Sequence, residues 1–447
     1  MSSATGSSDS GSNDWLNAFW MPFTPNKQFK AKPRLHVRAA GHYYYTADNT
    51  PKLDAIAGIW CSNLGHCHPV IVDAIQQQAA ELDYAASFHF GHPKIFELSN
   101  VLAAQFPDSL TNVFYTNSGS EAVDTALKMA LAYHRLRGDG ARTRLIGREM
   151  GYHGTGFGGI SVGGMTNNRK FFGSLLPGVD HLRLPYRAEQ HAFTRGLSDA
   201  DIGPYVEELE RLIALHDPST IAAVIMEPFN GSGGVYIPPK GYLQAMREVT
   251  ARHGILLIWD EVISAFGRLG APNACSLFGI EPDLVTIAKG INNGTVPMGA
   301  VVASKGVYET FMDEGGAGIE FFHGYTYSGH PLAAAAALAT QSVFAEPGFF
   351  ERVTALGAYL EERVHSLRGE PHVVDIRNLG AVAGLTLAQR DGQPGVRATA
   401  LFEHVYEQGV VIRHNGDTIA LSPILTMSNA DIDTIIESIR TGLRAIR

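Results

Sequence analysis

The sequence predicts an α/β protein: a mostly parallel sheet with helices on both faces, followed by a smaller α+β domain. Three observations predict it. Short apolar runs alternate with helix-like stretches up to about residue 303. Two runs end in a single charged residue: Ile255-Leu256-Leu257-Ile258-Trp259 closes on Asp260, and Leu284-Val285-Thr286-Ile287-Ala288 closes on Lys289. Beyond residue 373 short strands mix with helices. Continuous apolar runs mark strands buried on both faces, as parallel strands are. Alternating β and α implies crossover connections.

The elements follow in order. Residues 1–12 form a Ser/Gly/Asp tract that cannot bury enough surface to fold, so 1–13 is expected to be a disordered tail. Trp15, Phe19, Trp20, Met21, Pro22 and Phe23 then crowd together. So aromatic a segment is expected to be buried against something, a second subunit being one option. Residues 43–53 alternate and turn like a hairpin. Residues 69–82 place Val70, Ile71, Ala74, Ile75 and Ala79 near helical spacing. Strands are predicted at 112–116, 144–147, 221–226, 255–259, 284–288 and 299–303, with helices at 204–215 and 241–253 among them. Helices at 331–344 and 349–367 lead into a tail with strands at 373–376 and 410–412 and helices at 395–408 and 429–446. The division expected is 14–75 and 335–447 for the smaller domain and 76–334 for the larger.

Composition narrows the function. An apolar fraction of 45% allows a sizeable core. A net charge of −9 supplies no basic excess to neutralise phosphates, which argues against nucleic-acid partners. The 3 cysteines, Cys61, Cys67 and Cys275, give no disulfide framework and fit a reducing cytoplasm. The longest apolar candidate, 331–339, is too short to span a bilayer, and the N-terminus lacks a signal pattern.

Ligand sites of open α/β sheets lie at the carboxyl ends of the strands. A carboxylate and an amine delivered there are what pyridoxal 5′-phosphate requires. The amine forms a Schiff base with the cofactor aldehyde, and the carboxylate keeps the pyridine nitrogen protonated. The bland alternative for Asp260 and Lys289 is a buried ion pair or two solvated strand ends. Other segments add to the first reading. Asn117-Ser118-Gly119-Ser120 turns from a strand into a helix over 121–136, which aims amide groups and the positive dipole end at an anion. Gly119 permits close approach, and Ser118 or Ser120 can add a hydroxyl. A plain helix cap is the rival there. Gly151-Tyr152-His153-Gly154 can lay a ring flat on a ligand, with His153 as support, and Val262 can press from the other face. Met226-Glu227-Pro228 brings Glu227 to the same edge as a further cofactor contact. The broken loop 322–331 offers Tyr325, Thr326 and Ser328, with Thr326 or Ser328 able to reach a phosphate.

Together these segments resemble the class III aminotransferases, pyridoxal phosphate enzymes of fold type I with a seven-stranded sheet. The resemblance covers residues 15–447 and is strongest at 115–123, 151–154, 226–234, 259–270, 288–303 and 323–331. Within the family the chain is most similar to the ω-amino acid (β-alanine)–pyruvate and ω-amine transaminases. Trp20-Met21-Pro22-Phe23, Asn168-Arg169-Lys170 and Tyr325-Thr326-Tyr327-Ser328 carry that likeness. It implies Lys289 as the Schiff-base lysine and Asp260 as the partner of the ring nitrogen. It puts Tyr152 on the ring and Ser118, Gly119 and Ser120 around the phosphate. It further implies Thr326 contributed by the neighbouring subunit, hence a homodimer with shared sites, a tetramer remaining open. Arg413 matches the arginine that grips the substrate carboxylate. Phe23, Trp60, Phe88 and Tyr152 fall where the family lines its substrate pocket. Amines and 2-oxo acids such as pyruvate are the implied substrates. Ser264-Ala265, Leu269 and Asn292-Asn293-Gly294 depart from the family pattern, which bears on substrate choice.

Rival chemistries fit less well. His66, Cys67, His68, His89 and His92 have a ligand-like spacing, but Pro69 follows at once and no zinc motif accompanies them, so no metal is expected. The glycine turn lacks the dinucleotide fingerprint. An aminomutase or decarboxylase on the same scaffold is the nearest alternative, and a non-catalytic relative is disfavoured by the presence of both Asp260 and Lys289.

Overall fold

Apolar, β-branched runs make the strands of a central sheet in this computed structural model, which describes residues 13–446. The expected tail, 1–13, lies outside the described residues except for Asn13. The chain opens with β1 (Arg38–Ala40), β2 (Tyr43–Tyr45) and β3 (Pro51–Asp54), of which β2 and β3 form the expected hairpin. Seven strands follow: β4 (Leu110–Thr116), β5 (Arg144–Arg148), β6 (Val179–Leu182), β7 (Ile221–Met226), β8 (Leu256–Asp260), β9 (Leu284–Ala288) and β10 (Gly299–Ser304). They form one sheet in the order β4-β10-β9-β8-β7-β5-β6. The pairs β5–β6, β5–β7, β7–β8 and β8–β9 are parallel, and β10 runs antiparallel to both its neighbours. The mostly parallel seven-stranded sheet expected of fold type I is therefore present.

The chain ends with β11 (Val373–Leu379), β12 (Val382–Leu387), β13 (Val410–Val411), β14 (Arg413–Asn415) and β15 (Thr418–Leu421). These divide between two small sheets. One has the order β11-β12-β15-β14; in the other, β13 pairs in parallel with β3. N-terminal and C-terminal segments thus share a core of their own, in which Leu53 packs with Leu385, Val410, Ile436 and Ile439. The helix Asn429–Ala445 seals that core with Ile432, Ile435, Ile436, Ile439 and Leu443, and a Ser428–Asp431 capping box fixes its start. Around the central sheet, Ile146, Val224, Leu257 and Val285 join one core. Leu145, Ala223, Ile258 and Val301 join the other, against the helix Gly119–Leu136. Alternation along each strand sends neighbours to opposite faces.

The aromatic segment 15–23 is not buried within the chain: Trp15, Phe19, Trp20 and Phe23 are exposed, Trp20 at 86%. No helix among the described residues is long and apolar enough to cross a membrane.

Candidate active site

Asp260 and Lys289 stand at the carboxyl ends of adjacent parallel strands, β8 and β9, whose register sets Asp260 opposite Thr286. Both line one cavity with Gly119, Ser120, Tyr152, His153, Gly154, Glu227 and Val262. The parallel sheet is what brings them together, because each βα connection starts from the same edge.

Asp260 is buried and well bonded. Its Oδ2 lies 2.8 Å from His153 Nδ1. Its Oδ1 accepts from Thr286 Oγ1 at 3.1 Å and from the Val262 amide at 3.2 Å. Three donors fix the orientation of the carboxylate. Lys289 adopts φ +50°, in the left-handed region that side chains rarely occupy. Such strain persists only where the surroundings impose it. The turn that imposes it packs tightly: a Cβ at Gly290 would lie 2.8 Å from Asn63 Nδ2. Asn293 accepts from the Leu64 amide at 2.8 Å and donates to Gly65 O at 2.7 Å. Burial pushes the Lys289 amine below its ordinary value, against the opposing pull of Cys61, Asp260 and Glu227.

The glycine turn forms a cradle. Ser118 caps the helix Gly119–Leu136 by accepting from the Glu121 amide at 3.2 Å, and Ser118 O receives the Ala122 amide at 3.0 Å. The Gly119 and Ser120 amides at the helix mouth are left for an anion. A Cβ at Gly119 would lie 3.0 Å from both methyls of Val262, so only glycine keeps this wall open. Ser120 Oγ accepts from the Thr155 amide at 3.1 Å, which ties the Tyr152–Gly154 loop to the cradle. Glu227 holds the same loop: its Oε1 accepts from the Tyr152 amide at 3.1 Å and its Oε2 from Gly231 at 2.9 Å. Burial raises the Glu227 carboxyl above its usual range, opposed by His153 and Arg148. Arg413, on β14, lies outside this lining, but its charge acts on both Lys289 and Tyr152.

The remaining expected residues lie elsewhere in the single chain. Ser118 serves as the helix cap. Tyr325 Oη meets Thr125 Oγ1 at 3.2 Å, behind the cradle helix. Thr326 is exposed, and its carbonyl accepts from Tyr84 Oη at 2.9 Å. Trp60 is buried in the large core, with φ +63°. Phe23 and Phe88 are exposed; Phe88 lines a surface groove with Phe322 and Gly324. Of the departures from the family pattern, Ser264 lines the cavity, while Ala265 and Leu269 are core residues and Asn293 is the pin just described. His66 and His92 have protein partners, Asp54 Oδ2 at 2.8 Å and Gly329 O at 2.7 Å. Thr286 was missed from sequence. Its signal was the single hydroxyl in an otherwise apolar run. Phe229 and Ile263, which also line the cavity, carried no signal distinguishing them from core residues.

These residues fit pyridoxal 5′-phosphate. A buried amine, a fixed carboxylate, an aromatic wall and an anion cradle that a Cβ would fill all border one cavity. A profile of the family described as Aminotransferase class-III matches residues 26–443. The chain is 54% identical to an omega-aminotransferase of Caulobacter vibrioides, over 97% of this chain and 99% of that one. It is 43% identical to a beta-alanine–pyruvate aminotransferase of Pseudomonas aeruginosa, over 96% of each. The crystal structure of an amine transaminase from an uncultivated Pseudomonas species, in its pyridoxal phosphate-bound form, superposes with a TM-score of 0.89 at 32% identity, covering 96% of this chain and 99% of that one. The chain belongs to the class III aminotransferases, pyridoxal 5′-phosphate-dependent enzymes of fold type I that act on amines and oxo acids.

Proposed function

We propose that the protein is an ω-transaminase that moves an amino group from an ω-amino acid or primary amine to pyruvate, giving alanine, with Lys289 as the cofactor-linked lysine. The observation that carries this reading is the pairing of β8 with β9, which sets Asp260 and Lys289 in one cavity within electrostatic reach of Arg413. The names of the relatives support the choice of donor and acceptor.

When bound, pyridoxal 5′-phosphate supplies an aldehyde that captures amines and a ring that accepts the electron pair left when a carbon loses its proton. The chain supplies the rest. Lys289 Nζ, held toward its neutral form by burial, would take the proton from the amine-bearing carbon and deliver it to the carbon that had carried the cofactor's aldehyde. Asp260 would keep a proton on the ring nitrogen, with His153 and Thr286 fixing the carboxylate. Tyr152 and Val262 would border the ring, and the helix mouth at Gly119–Ser120 would hold the phosphate. Arg413 grips the oxo-acid carboxylate as a fork. An amine donor without a carboxylate leaves that fork unused.

The working form is a homodimer in which Thr326 reaches the partner's phosphate site. The exposed Trp20 and Phe322 support such a contact. The cytoplasm is the proposed compartment. A donor panel assayed with pyruvate tests the function. Stoichiometric alanine from β-alanine or a primary amine is expected. Amine consumption without alanine, or carbon dioxide release, would assign the site to a mutase or decarboxylase instead.

A further inference from the structure

We propose that Asn415 is a positioning residue for substrate carboxylate binding: it registers the strand that carries Arg413 against the cofactor wall by donating to the Ser232 carbonyl. The inference rests on the proposed role of Arg413.

β14 is an edge strand, hydrogen-bonded only to β15 in its sheet. The preceding β13 belongs to a different sheet, paired with β3. The segment 410–415 therefore crosses between two sheets, and the side of β14 away from β15 has no strand to hold it. Arg413 and Asn415 are two residues apart, so they project from the same face of the strand. Asn415 Nδ2 donates to Ser232 O at 2.7 Å.

Ser232 is a fixed point. Glu227 Oε2 accepts from the adjacent Gly231 amide at 2.9 Å, and Glu227 Oε1 accepts from the Tyr152 amide at 3.1 Å. Asn230 Nδ2 donates to Met150 O at 2.7 Å. On the other side Arg377, from β11, donates to Gly234 O at 2.6 Å and Val235 O at 3.1 Å. At Gly233 a Cβ would sit 2.0 Å from Asn230 Oδ1, so this loop packs too closely for any side chain there. The path Tyr152–Glu227–Gly231–Ser232–Asn415 joins the aromatic wall of the cavity to the strand of Arg413. Arg377 clamps the same loop at a distance from Arg413, whereas Asn415 lies two residues from it. Losing the Asn415 contact frees the guanidinium relative to the aromatic wall and leaves in place the contacts that hold the cradle and the Lys289 turn.

The test uses holoenzymes of Asn415→Ala and Asn415→Leu beside Arg413→Ala. One hydrogen bond to a positioned strand corresponds to a rise of about two- to tenfold in the KM for pyruvate. That rise is expected in both Asn415 variants, with cofactor absorbance unchanged and reaction with a carboxylate-free amine within about twofold of wild type. Asn415→Gln, which keeps the amide donor, recovers part of the loss. Should Arg413→Ala leave pyruvate KM unaltered, the carboxylate role of Arg413 fails. Should Arg413→Ala raise it while the Asn415 variants do not, the positioning role alone fails. Equal losses toward pyruvate and amine, or loss of folded holoenzyme in both Asn415→Ala and Asn415→Leu, would make the contact merely structural and overturn the proposal.

Discussion

His153 Nδ1 stands 2.8 Å from Asp260 Oδ2, and its Nε2 is buried with no hydrogen-bond partner among the described residues. The ring therefore turns its one satisfied nitrogen on the carboxylate, with Nδ1–H donating. Asp260→Asn removes the anion and keeps the shape. Turnover is expected to fall about 10²-fold or more, the scale of a lost electrostatic contact in a water-poor site. His153→Phe keeps the anion and removes one donor, so a smaller loss of about tenfold is expected from kcat measurements. Wild-type turnover in Asp260→Asn would remove the carboxylate from the chemistry.

The cradle predicts a steric effect. Gly119→Val sets branched carbon against the Val262 methyls, which a Cβ alone already approaches to 3.0 Å. Cofactor affinity, titrated into apoenzyme, is expected to weaken by about tenfold or more, and the melting temperature of the apoenzyme is expected to fall by what overpacking of about 1–3 kcal/mol produces. Unchanged affinity would move the anion site away from the helix mouth.

A third prediction concerns pH. Burial lowers the Lys289 amine below its ordinary value of 10.5. Between the lowered value and 10.5 the unfolded chain binds more protons at this position than the folded one, so this residue's contribution to stability rises with pH. Lys289→Met lacks that dependence. In melts of the two apoenzymes, the advantage of the methionine variant at about pH 7 should shrink toward about pH 10. A gap that widens over this range would contradict a buried, destabilised ammonium.

The sequence carried most of this fold where apolar runs are continuous. β7 and β9 fall at the predicted 221–226 and 284–288, because strands buried on both faces leave an unbroken apolar signal. β6 was missed: Asp180 and His181 break its run at the sheet edge. β12 was missed because Ala383 and Gly384 interrupt the run between Val382 and Leu385. β15 follows the tight turn at Gly416, where four residues are too few to show a period. In the site, strand ends made Asp260 and Lys289 legible. The bonds from His153, Thr286, Glu227 and Asn415 depend on register between distant segments, which no local pattern encodes.

The aromatic surface predicts association. Trp20 is 86% exposed and Phe322 89% exposed in the single chain, an apolar display that isolated soluble chains rarely keep. Sedimentation should find a dimer at working concentrations, with tryptophan emission shifting to the red on dissociation. A fully active monomer would contradict a shared site.

The central claim is that Lys289 Nζ carries the cofactor. Borohydride reduction of the holoenzyme followed by peptide mass mapping tests it directly. A pyridoxyl group on the peptide containing Lys289, absent from Lys289→Ala, is the expected result. An adduct on another lysine, or none in an active and yellow enzyme, would contradict it.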